Sequence, residues 1–398
     1  MDKAGFQKKY LEAKSRILNN FKELGPSRRR VLICGGGYGG IWLEHNQDNL
    51  FAVDFAPEEA WNSMEIFMDC QREDGLFPFA VWFNKEHPYG EAQFWHIQNI
   101  LPFARCAMEI ADRLGKPEEC HARIYQSALR FDRWLEKYRD TRKTGLVEMF
   151  CTWDTGHDNS PRVQQPGIPL GCPDNNACNL QKSHLMPLLS VDLSAMRYGA
   201  LEALAALARK LGKDKEASEH LEKRAALREK IMELLYDPED AFFYDVRPDG
   251  KFHKYRTEHV TRLFLNRVLT QEEFDRVYDK YFTVEGREFR PAYPIPSVSV
   301  DDPSFDHKLP HNSWGCNSQA LSMLRALFWM KEYHREQDLE LFHSLWVKAT
   351  VENDSKFQQE LNPFTGEPII NPDYDLRDYT PTLLLMLEYG KKHPELLS

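Results

Sequence analysis

Nothing in the 398-residue chain is apolar for long enough to cross a bilayer, so no membrane partner is expected. No basic stripe stands out against a net charge of −10 and a pI of about 5.8, which argues against nucleic acid as a partner. The opening residues, MDKAGFQKKY, show no apolar core of a secretory signal. The expectation is therefore a cytoplasmic protein with reduced thiols. No CxxC pair occurs among the eight cysteines, at positions 34, 70, 106, 120, 151, 172, 178 and 316. Most read as small buried hydrophobes. A zinc site from Cys172, Cys178 and His184 is poorly spaced. No fixed period marks a repeat array.

What is present is helical periodicity. Apolar spacing predicts helices near 4–24, 56–72, 91–114, 116–139, 192–212, 214–236, 270–281, 315–336, 338–352 and 379–391. Gly25-Pro26 closes the first, and Pro57-Glu58-Glu59 opens the second. Strands are few: 241–246 and 251–255, around the turn Pro248-Asp249-Gly250. The stretch RRRVLICGGGYGG places Gly35, Gly37 and Gly40 as GxGxxG after a strand-like run. A dinucleotide site needs a helix directly after the glycines and βαβ alternation beyond, and neither pattern follows. The alternative is a loop carrying Trp42, Glu44 and Asp48 to a pocket rim. Helices in hairpins with long loops between them predict an all-α (α/α)6 barrel with a few short strands, one domain over 1–398, and a site in the funnel at one end.

Those loops are rich in Trp, Tyr, Phe, Asp, Asn, His and Pro. They cover 71–98, 150–190, 290–319 and 357–380. Long loops in a compact domain usually serve function. Aromatic faces beside short polar side chains suit a sugar, which offers C–H faces and hydroxyl edges. The densest segment is Met149–Arg162, where Trp153, Asp154 and Asp158 precede the turn Asn159-Ser160-Pro161. A carboxylic acid there can protonate a leaving oxygen. The candidate substrate-binding residues are Trp42, Asp48, Gln93, Trp153, Asp154, Arg162, Trp314 and Tyr379, and the expected partner is a small carbohydrate.

At these loops the chain resembles the inverting α-glycosidases of the trehalase-like barrel clan: trehalases, processing α-glucosidases, and mannosylglycerate and glucosylglycerate hydrolases. WDTGHDNSPR at 153–162 is similar to that group's W-E-S-G-x-D-N-S-P-R. QREDGLFPF at 71–79, VDLSA at 191–195, IPSVSVDDPSF at 295–305 and LNPFTGEP at 361–368 resemble further family segments in the same order. QDNLF at 47–51 stands where the family has W-D-S-x-F. The resemblance makes Asp158 the general acid, and implies no metal or organic cofactor.

The chain departs from that pattern twice. Asn312 to Asn317 lacks the Arg of Y-W-R-G-P-x-W. Gln359 falls where the family has its general base, the Glu of E-N-Y-N-P. A neutral amide cannot take a proton from water. Three readings follow: Gln359 replaces a Glu to trap substrate, Glu360 serves as base after a local shift, or the protein binds sugar without turning it over. A sugar epimerase on the same barrel is a further alternative, drawing a pair from His157, His184, His259 and His311.

Overall fold

A computed structural model describes residues 2–24, 28–82, 91–306, 314–370 and 376–398. The expected stop at Gly25-Pro26, His311, and Asn312 with Ser313 lie outside them. The described residues form twelve α-helices: α1 (Lys3–Arg16), α2 (Asp48–Ala52), α3 (Pro57–Asp69), α4 (Phe103–Arg113), α5 (Glu118–Tyr138), α6 (Val191–Lys210), α7 (Asp214–Leu234), α8 (Thr261–Leu265), α9 (Gln271–Tyr281), α10 (Ala320–Glu332), α11 (Glu336–Glu352) and α12 (Thr380–Lys392).

The even-numbered helices close a ring. α2 packs on α4, α4 on α6, α6 on α8, α8 on α10, α10 on α12, and α12 again on α2. Outside it, α3 lies against α2 and α4, α5 against α4 and α6, and α11 against α10 and α12. Inner helices are surrounded by protein, so they bury residues all round: every residue of α2 and of α8 is buried. One hydrophobic cluster runs from Phe6 to Tyr389. Local signals start the helices where the ring needs them. Ser190 Oγ accepts the Leu193 N–H at the head of α6, and Thr270 with Glu273 forms a capping box on α9.

Short antiparallel strands sit before the inner helices. Gly40–Trp42, Ala80–Trp82 and Ala92–Gln93 form one sheet, with Gly40 opposite Trp82 and Ala80 opposite Gln93. Ser318–Gln319 pairs with Glu360–Leu361, setting Gln319 opposite Glu360. The expected strand 241–246 is broken into Phe242–Phe243 and Asp245–Val246, and 251–255 shortens to Phe252–His253.

Three expectations need correction. The first helix stops at Arg16, and Phe21–Leu24 turns into a hairpin with Arg29–Leu32. Asn20 makes that break possible by donating to the Asp378 carbonyl at 2.8 Å and the Thr380 hydroxyl at 2.9 Å. The helix placed at 91–114 begins only at Phe103, because Pro102 disfavours helical backbone at the residue before it. Residues 315–319 are strand and turn, so α10 starts at Ala320. The five-residue helices α2 and α8 escaped detection because one turn, apolar on every side, shows no period. The GxGxxG stretch is no nucleotide loop. A Cβ on Gly35 would stand 2.3 Å from the Asp378 carbonyl oxygen, so the glycines let the chain pass close to the start of α12.

Candidate active site

The loops at one end of the ring enclose a cavity of about 410 Å³. The glycine turn and the strand after it supply Tyr38, Trp42, Glu44 and His45. The neighbouring strand and the loop before α4 add Phe79, Trp82, Trp95, His96 and Gln98. The central loop brings Trp153, Gly156 and Asp158, and the C-terminal third brings Trp314, Leu321, Gln359 and Tyr379. Asp158 and Gln359, far apart in sequence, thus share one cavity. Tyr38 joins them: its hydroxyl is hydrogen-bonded to the Gln359 side chain. Burial, then the charges of Asp158 and Glu360, push that hydroxyl well above the ordinary tyrosine range. The Trp314 N–H donates to the Asp158 carbonyl at 3.1 Å and ties the acid's loop to the opposite segment.

Of the residues expected to meet substrate, Trp42, Trp153, Trp314 and Tyr379 line the cavity together with Asp158 and Gln359. Asp48, Gln93, Asp154, Arg162 and Glu360 do not. Asp48 turns back to His45 Nδ1 at 2.9 Å, and His45 takes the wall position instead. Gln93 is buried in its short strand. Asp154 is held in the protein: Arg139 donates at 2.5 and 3.1 Å, and the N–H groups of Phe150 and Ile97 donate at 2.7 and 2.9 Å. Burial alone would raise its pKa, but Arg139 and those donors hold it below the usual carboxylate range. Asp154 therefore shapes the loop that carries Asp158. Glu360 is wholly buried and accepts from Asn317 Nδ2 at 2.7 Å.

The cysteine-histidine zinc reading fails. Among the described residues, the metal-like cluster is Cys151, Asp154 and Cys172. The Arg139 guanidinium already sits on it, 3.7 Å from Cys172 Sγ, and a cation would be repelled. Of the histidines considered for epimerisation, the three among the described residues do not line the cavity. His157 and His259 are buried beneath it, and His184 lines a separate surface groove. Tyr38 and His45 lie in or just after the glycine loop, and His96 and Gln98 where the loop 71–98 overlaps the helix expected at 91–114; none of the four was singled out.

Below the cavity lies a buried ionic floor. Arg162 donates to Asp245 at 2.7 and 3.0 Å and to Asp192 at 2.9 and 3.1 Å. Arg262 reaches Asp192 at 3.0 Å, and His157 meets Glu258 at 2.6 Å. Arg325 donates to Glu44 at 3.0 Å. Arg162 is thus structural. Arg162→Ala leaves Asp192 and Asp245 buried with less compensation, and is expected to cost about 3–5 kcal/mol of stability. A denaturant midpoint that barely moves would contradict this.

Acid should weaken the same region. Burial lowers the pKa of His96 to about 4, of His157 to about 4 with help from the Arg262 charge, and of His259 to about 3 with help from Arg162. Between the ordinary value of about 6.5 and these values, the unfolded chain binds protons that the folded one refuses. Stability is therefore full above about pH 6.5 and falls as pH drops toward 4. Thermal melts at pH 7 and pH 4.5 should differ by several degrees, the acid sample melting first.

Comparison with known proteins places this arrangement. Residues 51–376 match the model of the mannosylglycerate hydrolase MGH1-like glycoside hydrolase domain. The chain belongs to this family. The matched model describes a glycoside hydrolase domain. Mannosylglycerate hydrolases MGH2 and MGH1 of Selaginella moellendorffii are each 25% identical to it over 127 residues, which is 28% of this chain and 26% of each relative. The alignment thus spans about a quarter of the curated relatives. Two solved structures share the fold across almost the whole chain. GH63 mannosylglycerate hydrolase from Thermus thermophilus, in complex with glucose, superposes with a TM-score of 0.72 at 17% identity over 96% of this chain and 99% of that one. Neutral trehalase Nth1 from Saccharomyces cerevisiae gives 0.70 at 13% identity, over 96% and 80%. The family's fold is the (α/α)6 barrel, as the closed ring of six inner helices requires. No described helix is long and apolar enough to cross a membrane.

Proposed function

We propose that this member is an exo-acting α-glycosidase for a small glycoside, with Asp158 as the general acid. The observation that carries the reading is Asp158 and Gln359 on one cavity, with Tyr38 against Gln359 and within reach of the Asp158 charge. The volume, about 410 Å³, suits a sugar ring with a small aglycone. Glu44 on the cavity wall is backed by the buried Arg325 and Arg262, and a single terminal unit is the ligand we take to enter. Trp42, Trp153 and Trp314 offer faces for the C–H surfaces of the ring. The Thermus relative was solved with glucose, and also with Tris and D-glycerate. A glucosyl or mannosyl unit on glycerate or a similar polyol acid is the class we would try first.

Asp158 gives its proton to the glycosidic oxygen as the bond to the anomeric carbon breaks. Water would attack from the opposite face, held by Gln359 and Tyr38, and its proton would need a carboxylate that position 359, as Gln, does not supply. Position 359 fronts the cavity, while Glu360, at the start of the short strand, is turned toward Asn317. Position 359 is then the base position, and its amide holds water without taking a proton. A sugar-binding protein with little turnover is the second reading, and the neutral Gln359 is what favours it. We also read the chain as one barrel domain over 1–398, working in a reducing compartment.

Proton NMR of the first sugar released from α-glucosides and α-mannosides tests the reading. The β anomer is expected to appear first. Early α anomer would overturn the inverting assignment.

A further inference from the structure

Asp158 stands at the corner of a tight turn. The Ser160 N–H donates to the His157 carbonyl at 3.1 Å and closes residues 157–160, with Asp158 second in the turn. Asn159, third, has φ of 60°, a left-handed conformation that asparagine tolerates. The backbone at the corner sets the direction of the Asp158 Cα–Cβ bond, and the turn starts from His157. That residue is buried, and its ring is held on three sides. Glu258 Oε1 lies 2.6 Å from Nε2, Arg162 Nη1 lies 3.1 Å from Nδ1, and the Trp314 ring packs on the imidazole at 4.8 Å between centroids. An arginine only donates and an ionised glutamate only accepts. Burial would raise the pKa of Glu258, but the hydrogen bond from His157 and the Arg262 charge hold it well below the usual carboxylate range. Nδ1 therefore accepts from Arg162, and Nε2 carries the hydrogen given to Glu258. The other tautomer would suit Arg262 Nη2, 2.7 Å from Nε2, but would set a hydrogen against Arg162 and a bare nitrogen against Glu258. Each partner is anchored elsewhere: Arg162 between Asp192 and Asp245, and Glu258 at the turn before α8, where it also accepts from the Thr261 hydroxyl at 2.9 Å. Trp314 completes the clamp, since its N–H donates to the Asp158 carbonyl.

We propose that His157 is the positioning residue for the acid: bridging Glu258 and Arg162 through its two ring nitrogens, it fixes the turn that aims the Asp158 carboxyl at the glycosidic oxygen. The inference rests on the reading of Asp158 as the acid of a glycosidase. His157 does not line the cavity, so it acts through Asp158 and gives up no proton of its own. A reacting group displaced by about 1 Å can lose on the order of 10²-fold in rate. That loss should fall on substrates that need the acid and spare those that do not.

Turnover of a methyl α-hexoside and of the α-hexosyl fluoride of the same sugar, glucose or mannose, tests this. Both are measured with His157 and with its variants, in the native chain and in Gln359→Glu. His157→Leu should lower kcat for the methyl glycoside by roughly 10–10²-fold. For the fluoride, which departs without a full proton, the loss should stay below about threefold, with KM within about twofold on both substrates. His157→Gln, whose amide can donate to Glu258, should regain much of the methyl-glycoside rate. A role in stability alone predicts something else: the melting temperature falls and both substrates lose alike. Equal losses on the two substrates would overturn the proposal, as would an undiminished methyl-glycoside rate in His157→Leu. Should the Leu variant not fold, His157→Asn takes its place with the same expected split, because its shorter amide reaches toward Arg162 and stops short of Glu258. Cleavage of neither substrate, in either background, would sink the glycosidase reading itself, whereas cleavage without a leaving-group split in the variants removes only this inference.

Discussion

Asp158→Asn is expected to lower turnover of an unactivated α-glycoside by about 10²–10⁴-fold, with KM changed little. The size follows from what the group does. An alkoxide leaving from an anomeric carbon is a poor leaving group, and an acid within reach removes that penalty in the transition state. Ground-state contacts of the sugar would survive, because Asn keeps the size of the side chain and a carbonyl oxygen. The loss should also depend on the aglycone. A glycosyl fluoride or a dinitrophenyl glycoside departs without a full proton, so Asp158→Asn should cost it far less. A uniform loss for good and poor leaving groups would remove Asp158 from the acid's role. Asp154→Asn should behave differently. Arg139 would lose its paired charge inside the protein, and the melting temperature should fall for every substrate tested.

The contrast between Asp154 and Asp158 shows how far residues alone could be read. Two aspartates four positions apart beside a Trp mark the loop, and the loop does carry the cavity's acid candidate. Which aspartate faces the cavity depends on Arg139, at the end of α5, and no local spacing announces that partner. Arg162 is similar: an arginine after Ser-Pro reads equally as a sugar-binding fork or an ion pair, and only the approach of Asp192 and Asp245 from two other elements decides it. The inner ring was legible where its helices are long, as in α6, α10 and α12. It was illegible at α2 and α8, whose single turns are buried on every side. His96 and Gln98 lay where two readings overlapped, the aromatic loop 71–98 and a helix at 91–114, and Pro102 decides for the loop. Asp48 looked like the carboxylate of a family motif, yet its one-turn helix points it back to His45, and the imidazole reaches the cavity.

Gln359→Glu is expected to raise hydrolytic turnover by about 10²–10⁴-fold, the usual scale for a positioned general base. The substitution replaces one amide by one carboxylate of nearly the same shape, at a position that already fronts the cavity and touches Tyr38. Its carboxylate would face Asp158 across the space where the anomeric carbon must sit. An inverting pair needs room for a water between base and sugar, which a separation of roughly 6.5–9.5 Å provides. Glu360→Gln separates the alternatives. If Glu360 is turned away as Asn317 holds it, this change should leave turnover within a few-fold and act mainly on stability, since a buried carboxylate loses its charge beside Asn317. A strand that rotates when substrate binds would instead make Glu360 the base. Glu360→Gln would then abolish turnover, and Gln359→Glu would add nothing. Should neither change alter a rate that is already near zero, while hexoses still bind, the displacement lacks a water-activating group opposite Asp158, and the cavity serves recognition alone.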